Sequence, residues 1–295
     1  MNKTSAYIPP QLRRHGFRLF DGAALLAAAL FTGWLAWRVL VEFKYDWQWG
    51  DIPRFIISRD ETGGLKLGPL GQGLTLTLRL SLWASALGLV WGLMLALARL
   101  SPALYPRLVA RTLVEVCRNI PPMVLIFIGF YFLSAQLLPW PRLIALARDL
   151  SPAAQGVVEA TTTSLRDLDI FFPAVIALAL YEAAYFSEIF RGAINSAPRG
   201  QWEASWCLGL SRWQQYRFII LPEALRKAAP QLAGQFISTV KESSIVSVVS
   251  LAELTYSSMK LSATFHHLFE IWLTAAALYF LLNFSLSLIF QRLES

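Results

Sequence analysis

Charge is scarce in this chain of 295 residues, with Asp, Glu, Lys and Arg together making up 15 %. A domain that meets water on every side carries about 25 %, so the composition argues against a soluble, surface-charged fold. Cysteine is nearly absent. Cys117 and Cys207 stand alone, with no metal spacing and no disulfide framework. No Walker-type phosphate loop, no HExxH string and no repeat of 20–50 residues occurs. His266 and His267 have no cysteine near them, so neither a metal nor another cofactor is expected, and no catalytic cluster is visible. Disorder is excluded by the 19 Phe and 11 Trp, far more aromatic surface than a solvated chain carries.

What is abundant is apolar sequence, 56 % of the chain. It falls into six blocks near residues 22–41, 71–98, 113–138, 171–190, 230–250 and 268–290. Each is close to the roughly 20 residues that cross a bilayer. Pro121-Pro122 breaks the third near its start, Pro173 opens the fourth as a first-turn proline, and the fifth is unusually polar. The basic stretch before the first block imitates a signal peptide, but it is long and no cleavage site follows, so an uncleaved anchor helix is expected. The net charge of +7 lies between the blocks. That is the pattern of charge orienting helices in a membrane rather than of nucleic-acid binding. With the N-terminus inside, 15 of the 26 Lys and Arg fall in cytoplasmic segments and 8 in outer ones, while Arg38, Arg79 and Lys241 lie within spans. Both termini are therefore expected in the cytoplasm, and both cysteines on the reducing side. Trp47, Trp49, Trp140 and Trp272 fit interfacial belts.

The segment between the fourth and fifth blocks is the most informative. Pro198 can open a short helix and Gly209 can close it. Trp202, Trp206 and Gly209 share one side at helical spacing. Ser211 and Gln214 form a capping-box pair that starts a second helix, with Trp213, Tyr216 and Ile220 on one face and Leu221-Pro222 as its end. Two short amphipathic helices on the inner face need a partner, whether lipid headgroups, the rest of the chain or a groove on another protein.

Here the sequence resembles a known family. Glu203-Ala204-Ser205, then Gly209, then Ile219-x-Leu221-Pro222, is similar to the EAA loop of ABC importer permeases. Tyr185-x-x-Glu188-Ile189-x-Arg191-Gly192, Ser196-x-Pro198-x-Gly200-Gln201, Lys241-Glu242-Ser243-Ser244, Gly73-Leu74-Thr75-Leu76-Thr77-Leu78 and Val114-Glu115-Val116-x-Arg118-Asn119-x-Pro121 resemble the polar amino acid (histidine/glutamine/glutamate) group. Ser205 departs from the second Ala of the loop's name, and Asn119-Ile120-Pro121-Pro122 from the commoner Gly-Thr-Pro. The resemblance covers roughly residues 70–292. It implies an all-α membrane protein of the bacterial inner membrane with six transmembrane helices. Residues 71–295 would form a five-helix permease core with a cytoplasmic coupling loop. Residues 1–70 would supply a cytoplasmic tail, one extra helix and a periplasmic loop. The implied partners are a separate ATPase chain, a second permease subunit, identical or paralogous, a periplasmic solute-binding protein and membrane lipid. The implied substrate is an amino acid.

On that resemblance the residues that couple to the ATPase are Gly200, Gln201, Trp202, Glu203, Ala204, Trp206, Gly209, Ile219, Leu221 and Pro222. Gly209 would allow the bend, Glu203 would orient the loop, and the tryptophans would fill a groove. Charges inside a bilayer cost about 2.5–3.5 kcal/mol each on insertion scales, so those in the spans need reasons. Arg38 sits near a span end and can snorkel. Arg79, Glu182 and the Lys241-Glu242 pair lie roughly 10, 14 and 16 Å deep, near the middle of a core about 30 Å thick. A zwitterion needs a cation for its carboxylate, from Arg79 or Lys241, and an acceptor for its ammonium, from Glu182 or Glu242. Tyr181, Tyr185 and Glu188 form a polar stripe, and Ser243 and Ser244 satisfy backbone groups or line a cavity. For Lys241 and Glu188 an interhelical ion pair that fixes packing is the first reading. For Arg79 and Glu182 substrate contact stays open beside that alternative. The rival functions are a permease of another ABC importer class, and a channel or membrane sensor with no ATPase partner; a membrane enzyme is the weakest.

Overall fold

A computed structural model describes residues 19–42, 45–59, 63–134 and 140–294. The chain divides into two compact units, residues 1–47 and 48–295. In the first, helix α1 (Leu19–Glu42) contains an apolar stretch, Gly22–Leu35, shorter than a full span. The Arg38 guanidinium lies 5.3 Å over the Trp34 ring, a cation held by an aromatic near the helix end.

The second unit opens with a short helix, α2 (Ile52–Ile56), and a two-stranded antiparallel hairpin, β1 (Ile57–Arg59) and β2 (Leu65–Leu67), pairing Ile57 with Leu67. Helices follow: α3 (Pro69–Arg99), α4 (Leu104–Asn119), α5 (Pro122–Ile128), α6 (Trp140–Arg148), α7 (Pro152–Thr161), α8 (Leu168–Asn195), α9 (Arg199–Cys207), α10 (Arg212–Gln215), α11 (Leu221–Glu242), α12 (Leu254–Phe265) and α13 (Leu268–Glu294). Among the described residues α3, α8 and α13 are long and apolar enough to cross a membrane. The α4–α5 pair is a fourth candidate only if its 118° bend counts as one broken span.

The third and fifth apolar blocks need correction. Leu113 to Asn119 belong to the amphipathic α4, and the chain breaks at Ile120-Pro121 before the apolar part begins. A residue ahead of proline is driven out of the helical region, and two successive prolines turn that preference into a sharp bend. The fifth block's helix starts nine residues early, at Leu221, and tightens into a 3-10 helix over Ser243–Val249. The fourth begins at Leu168, leaving Pro173 inside the helix rather than at its start. Between the fifth and sixth apolar blocks, where no helix is expected, lies α12, capped by the Glu253 side chain.

The bundle is organised by α3 against α8. The two run parallel, since Arg99 at the end of α3 meets Glu188 near the end of α8. Gly88 and Gly92 let the backbones approach. A Cβ at Gly92 would lie 2.6 Å from the Phe186 Cβ and 3.0 Å from the Ala183 carbonyl oxygen. In lipid, where apolar side chains gain little by leaving their surroundings, close backbone packing at small residues is a main source of helix association. Around this contact Leu80, Ile126, Phe171, Leu178, Val246 and Leu251 form the main core. A second core of Phe55, Leu70, Leu254 and Ile271 joins α2, α3, α12 and α13.

Glu253 ties the second core together. Its carboxylate, fully buried, accepts from the backbone N–H groups of Thr255 (2.9 Å) and Tyr256 (2.7 Å), the Tyr279 hydroxyl (2.9 Å) and the Thr77 hydroxyl (3.4 Å). Burial outweighs these bonds and pushes the carboxyl from 4.5 up to about 7. A folded pKa above the unfolded one contributes stability that is complete below pH 4.5 and lost as pH rises through 7. The thermal midpoint of the detergent-solubilised protein is therefore expected to fall between about pH 4.5 and pH 7, and Glu253→Gln to flatten that slope. Overpacking of a tight contact costs about 1–3 kcal/mol. Gly92→Ala should lower the same midpoint by that equivalent, whereas Gly234→Ala, with nothing within 4 Å of the new methyl, should leave it unchanged.

Candidate functional site

The lever-like segment between α8 and α11 is built from local signals. Pro198 caps α9 and Gly209 terminates it at φ +72°. The Gly209 N–H donates to the Trp206 carbonyl (2.9 Å) and the Leu210 N–H to the Ser205 carbonyl (3.2 Å), the paired bonds of a Schellman ending. Ser211 and Gln214 then cap α10 reciprocally, Ser211 N to Gln214 Oε1 at 2.9 Å and Gln214 N to Ser211 Oγ at 3.4 Å. A π-helical turn, Tyr216–Ile220, runs without a gap into α11. Leu221-Pro222 therefore begins a helix rather than ending one. Proline is at home in a first turn, where its missing N–H has no partner to lose.

The segment is anchored on one side and open on the other. Ser205 is buried, its hydroxyl donating to the Trp202 carbonyl (2.8 Å), so the residue that replaces alanine does sit in a tight place. Trp202 stands edge-on to Tyr216 at 5.2 Å, over a cluster of Ala193, Ile194, Ile220 and Ala224. Gln201 is half-buried, and Glu223 pairs with Lys227 at 2.7 Å. Ile219 is half-buried, while Gly200, Glu203 and Ala204 are exposed. Glu203 has no partner among the described residues. The two tryptophans part company, because Trp206 is 77 % exposed. Leu208, Trp213 and Phe218 are exposed beside it, so Trp213 does not share the buried face of Ile220. Between α9 and α10 a cavity of about 660 Å³ is lined by Trp202, Glu203, Trp206, Arg212 and Tyr216.

The ionisable groups of the spans separate into three levels along α3 and α8. Nearest the lever, Glu188 binds three arginines: Arg99 at 2.9 Å, Arg118 at 3.0 Å and Arg191 at 2.7 Å. It locks α3, α4 and α8 together and has no oxygen left over, which is the packing role expected of it; Arg118 was legible as part of a family-like string, and Arg99 only as one of the orienting charges. At the middle level Glu182 is fully buried. Its Oε2 accepts from Gln235 Nε2 at 2.9 Å, and its carboxyl meets that of Glu242 across the α8–α11 contact. One oxygen of each carboxyl has no partner. Nearby the Tyr181 hydroxyl donates to that of Tyr185 at 3.1 Å. Ser243 and Ser244 bond the carbonyls of Val240 and Lys241, satisfying backbone as one of their two readings had it. Lys241 is exposed, and the ion pair expected for it is not formed among the described residues. Farthest from the lever, Arg79 Nη1 donates to the carbonyls of Glu159 (2.9 Å) and Thr162 (3.3 Å), and Trp83 Nε1 to that of Thr161 (3.0 Å). Sequence reasoning missed Gln235, Thr77 and Glu253. The one available signal was a polar residue in an otherwise apolar run.

Among the described residues no three His, Cys, Asp or Glu come together as a metal site. His267 instead meets Asp51 at 3.1 Å.

Residues 88–295 match the family described as the binding-protein-dependent transport system inner membrane component. The chain belongs to this family. It is a permease subunit, a transport component rather than an enzyme. It is 33 % identical over 223 residues, 76 % of this chain and 91 % of the other, to the glutamate/aspartate import permease protein GltK of Escherichia coli O6:H1. With the glutamine transport system permease protein GlnP of Escherichia coli K12 it shares 31 % over 253 residues, 85 % of this chain and 97 % of the other. A solved structure, that of an amino acid ABC transporter with histidines, superposes with a TM-score of 0.60 at 28 % identity, covering 77 % of this permease and 92 % of that chain. The MetNI methionine ABC transporter in an inward-facing form shares the fold, with a TM-score of 0.57 at 20 % identity over 77 % of this permease and 94 % of that chain.

Removing Glu188's charge strands three arginines, of which Arg99 is nearly buried at 9 % exposure. An uncompensated, partly buried ion costs about 1–3 kcal/mol. Glu188→Gln should lower the thermal midpoint of the purified permease accordingly, and Arg118→Gln, at the more exposed end of the cluster, should do so by less.

Proposed function

We propose that this permease is the membrane-spanning subunit of an ABC importer for amino acids, driven by a separate ATPase chain and supplied by a solute-binding protein. The amino acid assignment rests on the names of the glutamate/aspartate and glutamine relatives and on the solved amino acid transporter. In this reading six helices cross the inner membrane: α1, α3, the α4–α5 pair through its apolar half, α8, α11 with its 3-10 extension, and α13. The termini and the α9–α10 segment lie in the cytoplasm, residues 71–295 make the permease core, and a second permease copy or paralogue completes the pathway.

One observation carries the coupling role. The α9–α10 segment has a cap at the start of each helix, is joined to two long helices, and exposes Trp206 at a groove lined by Trp202, Glu203 and Arg212, with Leu208, Trp213 and Phe218 also exposed. An exposed tryptophan at a groove is a usual anchor of a protein contact. An unpaired Glu203 at the groove supplies a charge-assisted contact. Closure of two ATPase subunits on this face would move α8 and α11 as levers. The middle level, with Glu182 and Glu242 on facing helices and Tyr181 and Tyr185 beside them, supplies acceptors for a substrate ammonium, and Lys241 faces the second permease.

Gly209 is the decisive position, because φ +72° costs a β-branched residue about 1–2 kcal/mol and would re-aim α10. Gly209→Val should leave the permease folded and inserted but lower binding-protein-stimulated ATPase activity of the reconstituted importer at least about tenfold. Cysteine pairs placed at Trp206 and on the ATPase should crosslink in the parent protein. Absence of any crosslink to an ATPase would overturn the reading and favour a channel or sensor. Competition for uptake by each of the twenty amino acids tests the substrate class against that of another ABC importer.

A further inference from the structure

We infer that a polar cavity at the end of the bundle opposite the lever is a staging site for a free zwitterionic amino acid, before it reaches Glu182 and Glu242. The inference rests on the amino acid reading above and goes beyond it by naming a second site and its ligand groups. The cavity measures about 350 Å³, at the small end of the roughly 300–1,000 Å³ range of small-molecule sites. It lies between the first half of α3, the loop that joins α7 to α8, and the turn that leads to α12. Gln72, Thr75, Arg79, Thr163, Ser164 and Asp167 supply its polar wall.

The charges suit one ligand class. Arg79 spends only Nη1, on the carbonyls of Glu159 and Thr162. Those bonds fix the guanidinium at the C-terminal end of α7, where a cation is favoured, and leave Nε and Nη2 without protein partners among the described residues. A guanidinium edge with two free N–H vectors matches a carboxylate. Asp167 accepts one hydrogen bond, from Ser164 Oγ at 2.9 Å, and its other oxygen has no protein partner among the described residues. Although both line the same cavity, Arg79 and Asp167 form no ion pair. A cation held by two carbonyls and an exposed carboxylate lining the same small cavity fit a molecule that carries both a carboxylate and an ammonium. A plain anion or a plain amine satisfies only half of the wall. Along α3 the cavity also stands on the far side of Glu182 from the α9–α10 segment. Gly88, whose Cβ would meet Glu182, is nine residues along α3 from Arg79, about 13 Å nearer the lever.

The test uses the complete importer in vesicles, without binding protein, in a Cys117→Ala, Cys207→Ala background carrying Gln72→Cys as reporter. A small membrane-impermeant thiol reagent labels the reporter while each of the twenty amino acids is added in turn, with the matching amines and α-keto acids as controls. At least one amino acid should slow labelling, and its amine and keto acid should do so at least about tenfold less effectively. Arg79→Gln should abolish protection. Asp167→Asn, which leaves the α7 cap intact, should raise the half-protecting concentration of the amino acid roughly tenfold, the value of one charge-assisted contact. It should not change the weak effect of the keto acid. Labelling that no amino acid alters, in vesicles that take up an amino acid once loaded binding protein is supplied, would overturn the staging site and leave the import function standing. Vesicles that take up no amino acid would instead overturn the import reading on which it rests.

Discussion

The backbone-to-backbone contact of α3 with α8 is the constraint on which the rest of this molecule depends. Gly88 and Gly92 bring two parallel helices so close that a single methyl at Gly92 has no room. In water such a contact would be one of many. In lipid, where most apolar side chains are equally content outside, it is among the few that select one arrangement. Once it is made, the polar side chains of both helices are stacked in order along a shared axis. Arg79 stands at one end, Glu182 beside Gly88 in the middle, and Arg99 with Glu188 at the other end. Glu188 then recruits Arg118 from α4, and Glu182 meets Gln235 and Glu242 from α11.

Local features of this design were legible in the sequence and long-range ones were not. Pro198, Gly209 and the Ser211–Gln214 box mark their helix ends because each acts on backbone groups within five residues, and all three form as read. Leu221-Pro222 was misread for an equally local reason. A proline signals a helix boundary without saying on which side the helix lies, and here the π-helical turn before it carries the chain straight into α11. The break at Pro121-Pro122 was legible, but hydropathy averages across it and so ran the third block back into the end of α4. Glu253 and Thr77, 176 residues apart, meet at the cap of α12. No periodicity connects them, since the register of one helix against another is set by packing.

The burial of the charges also sorts them by task. A carboxylate with all its oxygens paired to arginines has nothing left for a ligand, and breaking such a cluster costs more than forming it yields. Glu188 is in that state and serves to hold helices. Glu182 and Glu242 keep unpaired oxygens in a buried place. That is an expensive arrangement, tolerated only where another group completes it or where a helix contact is meant to have more than one state. The contrast follows position: the cluster of arginines sits at the end of α3 and α8 nearest the α9–α10 segment, and the incomplete pair sits where α8 meets α11, the two helices that this segment joins.

In the coupling role proposed above, a displacement applied to α9 and α10 would reach α8 through Asn195 and α11 through the continuous turn at Tyr216–Ile220. Glu188 ties α8 to α3 and α4 through three arginines, so in that role these three helices would move together. At the α8–α11 contact two carboxyls face each other, and Gln235 of α11 donates to that of Glu182 at 2.9 Å. Two acidic groups that share few donors hold less tightly than three arginines on one acid, so the proposed coupling would open α11 from α8 before it disturbed the α3–α8 pair, with the glycine contact and the arginine cluster as its fixed body.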